Sequence, residues 1–222
     1  MKILVFDTET TGLPERSASI KETDKWPYII QISYIFYDLS NTKTVIRDDY
    51  IKINSNIEIP SESFEKHKIS KEILNEKGIN IKSALLQFND YVKMSDLIIG
   101  HNISFDKRMV YVECFRNNLK QYFTTFRGNQ KISKPEYCTM NQTKEFCNLV
   151  RENKYNKEFL KAPKLLELYQ ILFPQDKSPE NLHNSLVDVL VTFRCYIKIV
   201  YSLDIIEVDK TIYNLFINNN II

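Results

Sequence analysis

VFDTETTG, residues 5–12, closes a short apolar run with two carboxylates, Asp7 and Glu9, one residue apart. The preceding KILVF (2–6) has strand composition, and the Thr-Thr-Gly-Leu-Pro that follows the pair is turn chemistry. Side chains alternate along a strand, so Asp7 and Glu9 face the same way. Neighbouring carboxylates repel, and burial adds to the cost unless a proton or a cation neutralises them. A hard divalent cation such as Mg²⁺ suits the pair, since it prefers oxygen and needs few ligands from protein. A D-x-E pair alone is common at solvated strand ends. What sets this one apart is the small turn of Thr10, Thr11 and Gly12, where backbone can come close to a ligand.

Two further stretches carry compatible chemistry. LIIGHNISFD (97–106) is another apolar run, followed by Gly100 and a polar turn that enters a helix. Ser104 is the expected N-cap, with Phe105, Met109, Val110 and Val112 at helical spacing. Asp106 then falls in the first turn, where the helix dipole favours a carboxylate. LHNSLVDVLVTFRCYIKIVY (182–201) reads as a long apolar helix capped by Asn184 or Ser185. Asp188 on the inner side of that helix needs a partner. His183, just before the helix, has the imidazole pKa that suits proton abstraction near neutrality. Taken singly, each stretch has an ordinary reading as a capping or solvated group; the combination does not.

In order and context, Asp7, Glu9, Asp106, His183 and Asp188 resemble the DEDD superfamily of 3′–5′ exonucleases, specifically its DEDDh (epsilon-subunit-like) branch. FDTETTGL, GHNISFD and HNSLVDV are similar to the three motifs of that family. FEKHKISKEIL (64–74) and KAPKLLELYQILF (161–173) are weaker echoes, so the resemblance spans roughly residues 1–200. It implies an α/β, ribonuclease-H-like fold: a mixed five-stranded sheet, an antiparallel meander plus parallel strands, flanked by helices on both faces. It also implies a metal-dependent 3′–5′ exonuclease that releases nucleoside monophosphates from DNA, in proofreading or repair.

The implied cofactors are two divalent cations, Mg²⁺ with Mn²⁺ able to substitute, about 4 Å apart. By the same resemblance Asp7 is shared between them, Glu9 and Asp188 hold the ion that activates water, and Asp106 holds the second. His183 is the implied general base. The backbone of Thr10, Thr11 and Gly12 would meet the 3′ end, and Leu13 would pack near the last base. Asn102 would steady its turn or touch the nucleotide. Phe105 would either stack on a base or anchor its helix. The implied partner is nucleic acid with a free 3′ end, single-stranded by preference, and a DNA polymerase is a candidate second partner. An RNA-trimming enzyme of the same family, and a catalytically silent nucleic-acid-binding module, are the alternatives.

Composition sets the outer bounds. The 222 residues carry a net charge of +2, which neither requires nor excludes a nucleic-acid partner. Four cysteines lack C-x-x-C spacing, which points away from zinc and disulfide frameworks and toward an intracellular, cytoplasmic setting. Met1-Lys2 runs straight into the first strand, so no signal peptide is expected, and no apolar run is long enough to span a membrane. Four glycines provide neither a P-loop nor a dinucleotide fingerprint.

The pattern predicts strands at 2–8, 28–38, 44–53, 96–100 and 137–140. Helices are expected at 70–76, 80–94, from 104, near 141–150, at 163–173 and from 184. We expect one catalytic domain over 1–202, with 203–222 as a docked helix or a tail. Basic segments at 118–135 and 151–164 read as solvated loops or helix faces, or as tracks for a nucleic-acid backbone.

Overall fold

A computed structural model describes residues 1–222. Nine strands form: β1 (Lys2–Thr10), β2 (Ile29–Asp38), β3 (Lys43–Tyr50), β4 (Leu97–Gly100), β5 (Thr124–Arg127), β6 (Gln130–Ser133), β7 (Glu136–Cys138), β8 (Val150–Glu152) and β9 (Glu158–Leu160). The helices in the first half are α1 (Ser61–His67), α2 (Lys71–Lys77), α3 (Ile81–Met94) and α4 (Ile103–Arg116). Those in the second are α5 (Thr139–Gln142), α6 (Lys144–Cys147), α7 (Leu165–Leu172), α8 (Ser185–Tyr201), α9 (Ile205–Val208) and α10 (Lys210–Asn218).

The main sheet has five strands in the order β3-β2-β1-β4-β7. β1, β2 and β3 pair antiparallel, while β4 and β7 continue the sheet in parallel. This is the mixed ribonuclease-H-like sheet, with helices on both faces. Alternation along the strands sorts the two cores. Ile3, Val5, Ile35 and Tyr37 pack against α7 and α8, whereas Leu4, Phe6, Tyr34 and Phe36 pack against α3 and α4. β2 is buried along its whole length because helices cover both of its faces.

Several boundaries shift for local reasons. β1 runs to Thr10 rather than residue 8, because Glu9 still pairs with Gln31 before the register slips at Thr10. The polar 15–27 segment is anchored by Trp26, which is buried and donates its indole N–H to the Ser19 carbonyl at 2.9 Å. The basic stretches are not loops: 118–135 contains the hairpin β5–β6, and the hairpin β8–β9 spans much of 151–164. The helix expected near 141–150 is two short helices, α5 and α6.

Residues beyond α8 fold back on the sheet. Ile205, Ile212, Phe216 and Ile221 are buried in the same core as α8, and Tyr37 donates its hydroxyl to Asp209 at 2.9 Å. Arg194 joins these elements from the middle of α8. Its guanidinium bonds Asp176 and Asp204 at 2.6 Å each and lies 3.9 Å from the Phe173 ring centre. Removing one member of a buried ion network costs about 3–5 kcal/mol, because the partners left behind stay desolvated. Arg194→Met is therefore expected to lower the melting temperature by roughly 6–20 °C. A thermal melt within a degree of wild type would show that the network carries no net stability.

Candidate active site

β1 brings Asp7 and Glu9 to the carboxyl end of the sheet, opposite Ser33 and Gln31 of β2. Both lie on the face shared with Ile3 and Val5, which is the face that α8 covers. The start of α8 is fastened to these strands. Ser185 donates its hydroxyl to the Asp7 carbonyl at 2.7 Å, and its amide to Gln31 Oε1 at 3.2 Å. Gln31 Nε2 and the Ser33 hydroxyl each donate to Asp48 Oδ1 at 2.7 Å, so Gln31 is held at both ends. Asn184 caps the helix by accepting from the Leu186 and Val187 amides at 3.1 and 3.4 Å. Asp188, one turn further on, is thereby turned toward β1. His183 adopts a left-handed backbone (φ 72°), a conformation non-glycine residues rarely take, and donates its amide to Asp188 Oδ1 at 3.4 Å.

Asp106 arrives from the opposite face of the sheet. β4 ends at Gly100, where an added Cβ would sit 3.1 Å from the Ile103 Cβ, so glycine permits the close approach of strand and helix. The chain then enters the helix two residues earlier than expected. Asn102, not Ser104, is the N-cap; it holds φ 64° and makes no side-chain cap bond. Asparagine tolerates this left-handed turn, which leaves Ser104 inside the helix. Asp106 is buried and its Oδ1 accepts from the Thr8 amide at 3.1 Å and the Thr8 hydroxyl at 2.8 Å.

The four carboxyls share one poorly solvated site. Donor atoms of Glu9, His183 and Asp188 lie within 4.8 Å of one another. Asp7 Oδ2 is buried without a hydrogen-bond partner. Burial, then the charges of Asp106, Asp188 and Glu9, hold the Asp7 carboxyl well above the usual range. Burial and then Asp188 and Asp106 push Glu9 up to about 9. Burial raises Asp106 to about 7 against the Thr8 hydrogen bonds, and raises Asp188 to about 7 against the His183 amide. An orphaned buried oxygen amid mutually repelling carboxylates fits a divalent cation, which would supply the missing partner and the missing positive charge. His183, an exposed residue whose ring is partly desolvated, moves the other way: that desolvation, then Lys66 and Lys164, lower its pKa.

These shifts fix a sign for stability. Unfolded Asp and Glu titrate near 4, so folding takes up protons between about pH 4 and the folded values. Metal-free stability therefore falls as pH rises toward 7 for Asp106 and Asp188, and toward about 9 for Glu9. In EDTA, the melting temperature is expected to be lower at pH 8.5 than at pH 5.5. Millimolar Mg²⁺ or Mn²⁺ should raise it at pH 8.5 and change it little at pH 5.5. A metal-free protein that is more stable at pH 8.5 would contradict this charge arrangement.

The remaining sequence candidates are held in different ways. Thr10 and Thr11 spend their hydroxyls within the protein: Thr10 donates to the Gly12 carbonyl at 2.7 Å, and Thr11 accepts from the Tyr28 amide at 3.0 Å. Leu13 is 79% exposed beside them. Asn102 is exposed, whereas Phe105 is half-buried against the α3–α4 core. His101 shares a 2.9 Å hydrogen bond with Thr139, and burial lowers its pKa to about 4, so it stays neutral and braces the turn.

Sequence reasoning missed three supports. Gln31 and Ser185 fasten α8. Arg116 pins the loop after Leu13 by donating to the carbonyls of Pro27 (2.7 Å), Trp26 (2.6 Å) and Thr23 (2.5 Å). His67, passed over in the sequence, is buried with its Nδ1 accepting from Ile69 and its Nε2 unpartnered. It lines a cleft of about 720 Å³ together with His183 and Tyr50. Its signal was only that of an imidazole in a short helix.

The family model described as "Exonuclease" matches residues 4–196. DNA polymerase III subunit epsilon of Buchnera aphidicola is 24% identical over 217 residues, covering 95% of this chain and 78% of that protein. Escherichia coli Exonuclease I in complex with a dT13 oligonucleotide superposes with a TM-score of 0.62 at 15% identity, over 89% of this chain and 41% of that one. Exonuclease I of Methylocaldum szegediense gives a TM-score of 0.64 at 15% identity, over 90% and 41%. The zinc-bound E. coli Exonuclease I–single-stranded DNA complex gives 0.64 at 14%, over the same shares. This chain spans about two fifths of the length of these solved structures. No helix of the chain is long and apolar enough to cross a membrane.

Proposed function

This chain belongs to the DEDDh 3′–5′ exonuclease family, and we propose that it hydrolyses DNA from a free 3′ end, releasing nucleoside monophosphates. The observation that carries this reading is the buried, unpartnered Asp7 oxygen among three further carboxyls whose pKa values all lie above the usual range. Asp7, Glu9, Asp106 and Asp188 would hold two divalent cations, Mg²⁺ or Mn²⁺. When bound, such ions stabilise charge on the attacking and leaving oxygens of a phosphodiester.

The protein's own groups divide the remaining work. His183, its pKa lowered by partial desolvation and by Lys66 and Lys164, accepts the proton of the attacking water at a ring nitrogen. The bond from the Thr8 hydroxyl holds the Asp106 carboxylate in one orientation, and Ser185 and Gln31 fix the helix that carries Asp188. An added Cβ at Gly12 would meet nothing closer than Ser63 Oγ at 3.8 Å, so packing does not require glycine there. We assign that open space to the terminal nucleotide, with Leu13 against the last base and Phe105 and Asn102 on the opposite wall. Preference for a single strand is the expectation that follows for substrate, and a polymerase remains a candidate partner through the likeness to an epsilon subunit.

Matched 5′-labelled DNA and RNA oligonucleotides, digested with Mg²⁺ or Mn²⁺, test the choice of sugar. The DNA ladder should shorten faster. A faster RNA ladder would replace this reading with 3′ trimming of RNA, and binding without cleavage of either would leave a silent module.

A further inference from the structure

The β8–β9 hairpin stands apart from the main sheet as a separate two-stranded arm. Every residue from 150 to 159 is exposed, among them Tyr155 (70%) and Phe159 (45%). An isolated hairpin of this kind is marginal in water, and aromatic groups with no core beneath them gain from a covering partner. The turn itself is well formed: Asn153 accepts from the amides of Tyr155 and Lys157 at 2.8 and 3.2 Å.

Register sorts the arm into two unlike faces. Arg151 lies opposite Phe159, and Lys157 shares their face two residues before Phe159. Glu152 and Glu158 are opposite one another on the other face. One face is therefore basic and aromatic, and the acidic groups are turned away from it. Residues 150–164 hold five basic and two acidic side chains, in a chain whose total net charge is only +2. At the tip, the Lys154 ammonium sits 5.0 Å from the Tyr155 ring centre.

The arm is rooted at the catalytic rim. Its strand β9 runs on through Pro163, close to His101, and Lys164, close enough to His183 for its charge to act there. The other hairpin differs in this respect. β5–β6 leads into Lys134, which is tied to the Ser95 carbonyl just before β4, at the end of the sheet remote from Gly100. Of the two hairpins, only the β8–β9 arm brings basic and aromatic groups toward the site.

We propose that the β8–β9 arm is the docking surface for the single nucleic-acid strand leading away from the scissile nucleotide. Tyr155 and Phe159 stack on bases, and Arg151, Lys154 and Lys157 neutralise phosphates. Such stacking is sequence-tolerant because every base has a π-face. This rests on the nuclease reading of the site, but it concerns the strand several nucleotides from the chemistry.

The test uses the full chain with two sets of exposed substitutions: Tyr155→Ala with Phe159→Ala, and Arg151→Glu with Lys154→Glu and Lys157→Glu. Fluorescence polarisation of a labelled 25-nucleotide DNA strand in EDTA reads binding without cleavage. Both variants should bind about tenfold or more weakly, and the charge variant should lose roughly two units of the slope of log affinity against log salt. With Mg²⁺, kcat/KM should fall on the 25-mer and stay unchanged on a trinucleotide too short to reach the arm. Wild-type affinity in both variants would overturn the arm's role even if cleavage proceeds. An equal loss on both substrates would also overturn it, as would a variant that binds DNA normally but changes sedimentation mass, which marks a protein interface instead. A wild-type protein that binds the 25-mer through the arm but cleaves nothing would preserve this surface and refute the nuclease reading alone.

Discussion

Asp7→Asn should abolish hydrolysis while making the metal-free protein more stable. The two effects have one cause. Asp7 is half-buried, its Oδ2 is buried with no partner, and its charged form is opposed by Asp106, Asp188 and Glu9. Replacing it with a neutral isostere relieves that repulsion, and a gain of 1 kcal/mol in a chain of this size raises the melting temperature by roughly 2–4 °C. The catalytic loss follows from the same missing charge. Bound cations contribute several kcal/mol to stabilising the phosphodiester transition state, and each 1.36 kcal/mol is tenfold, so activity should fall by about 10³-fold or more. The pair of measurements is a melt in EDTA at pH 8 and a saturating-Mg²⁺ rate. Retained cleavage would remove Asp7 from the metal site. Loss of cleavage with a large fall in stability would make Asp7 a structural residue.

His183→Ala should reduce the rate by roughly 10²–10⁴-fold, the usual worth of a positioned general base. Its pH dependence distinguishes this from a general disturbance. Partial desolvation and the charges of Lys66 and Lys164 keep the imidazole pKa below its ordinary value, so the neutral base predominates at pH 7 and above. Wild-type activity should therefore show no imidazole limb between pH 7 and 9. The variant should gain on wild type as pH rises, because hydroxide replaces the lost base. Activity equal to wild type across pH 6–9 would exclude His183 from proton transfer. His183 also holds a left-handed backbone, so a melt of the variant is the necessary companion measurement.

Much of the site was legible because its chemistry is local. D-x-E at a strand end gives two carboxylates on one face whatever the rest of the chain does, and an apolar helix with one Asp in its first turn demands a partner. The sheet was legible for a similar reason, since β1, β2 and β4 are dense apolar runs. The supports were not. Gln31 meets Ser185 across 154 positions of sequence, and Arg116 reaches Trp26 across 90; no periodicity announces such contacts. Ser104 was a reasonable cap by composition, but the left-handed turn at Asn102 moved the helix start forward. The β8–β9 arm was hidden because its strands are only three residues long and place Glu152 opposite Glu158, which no strand propensity favours. Its Asn153 and Asn156 turn, with Asn156 at φ 55°, was the available signal.

The central claim is that the cluster of Asp7, Glu9, Asp106 and Asp188 works with divalent cations to remove nucleotides from a free 3′ end. One oligodeoxynucleotide, prepared in a 5′-labelled and a 3′-terminally labelled form, tests it most directly with Mn²⁺, Mg²⁺ or EDTA. The account predicts a metal-dependent ladder descending in single-nucleotide steps from the 5′-labelled strand. It also predicts immediate release of labelled mononucleotide from the 3′-labelled strand, with both products absent in EDTA. Intact strands under every metal condition, equal cleavage in EDTA, or first release of the 5′ label would contradict it.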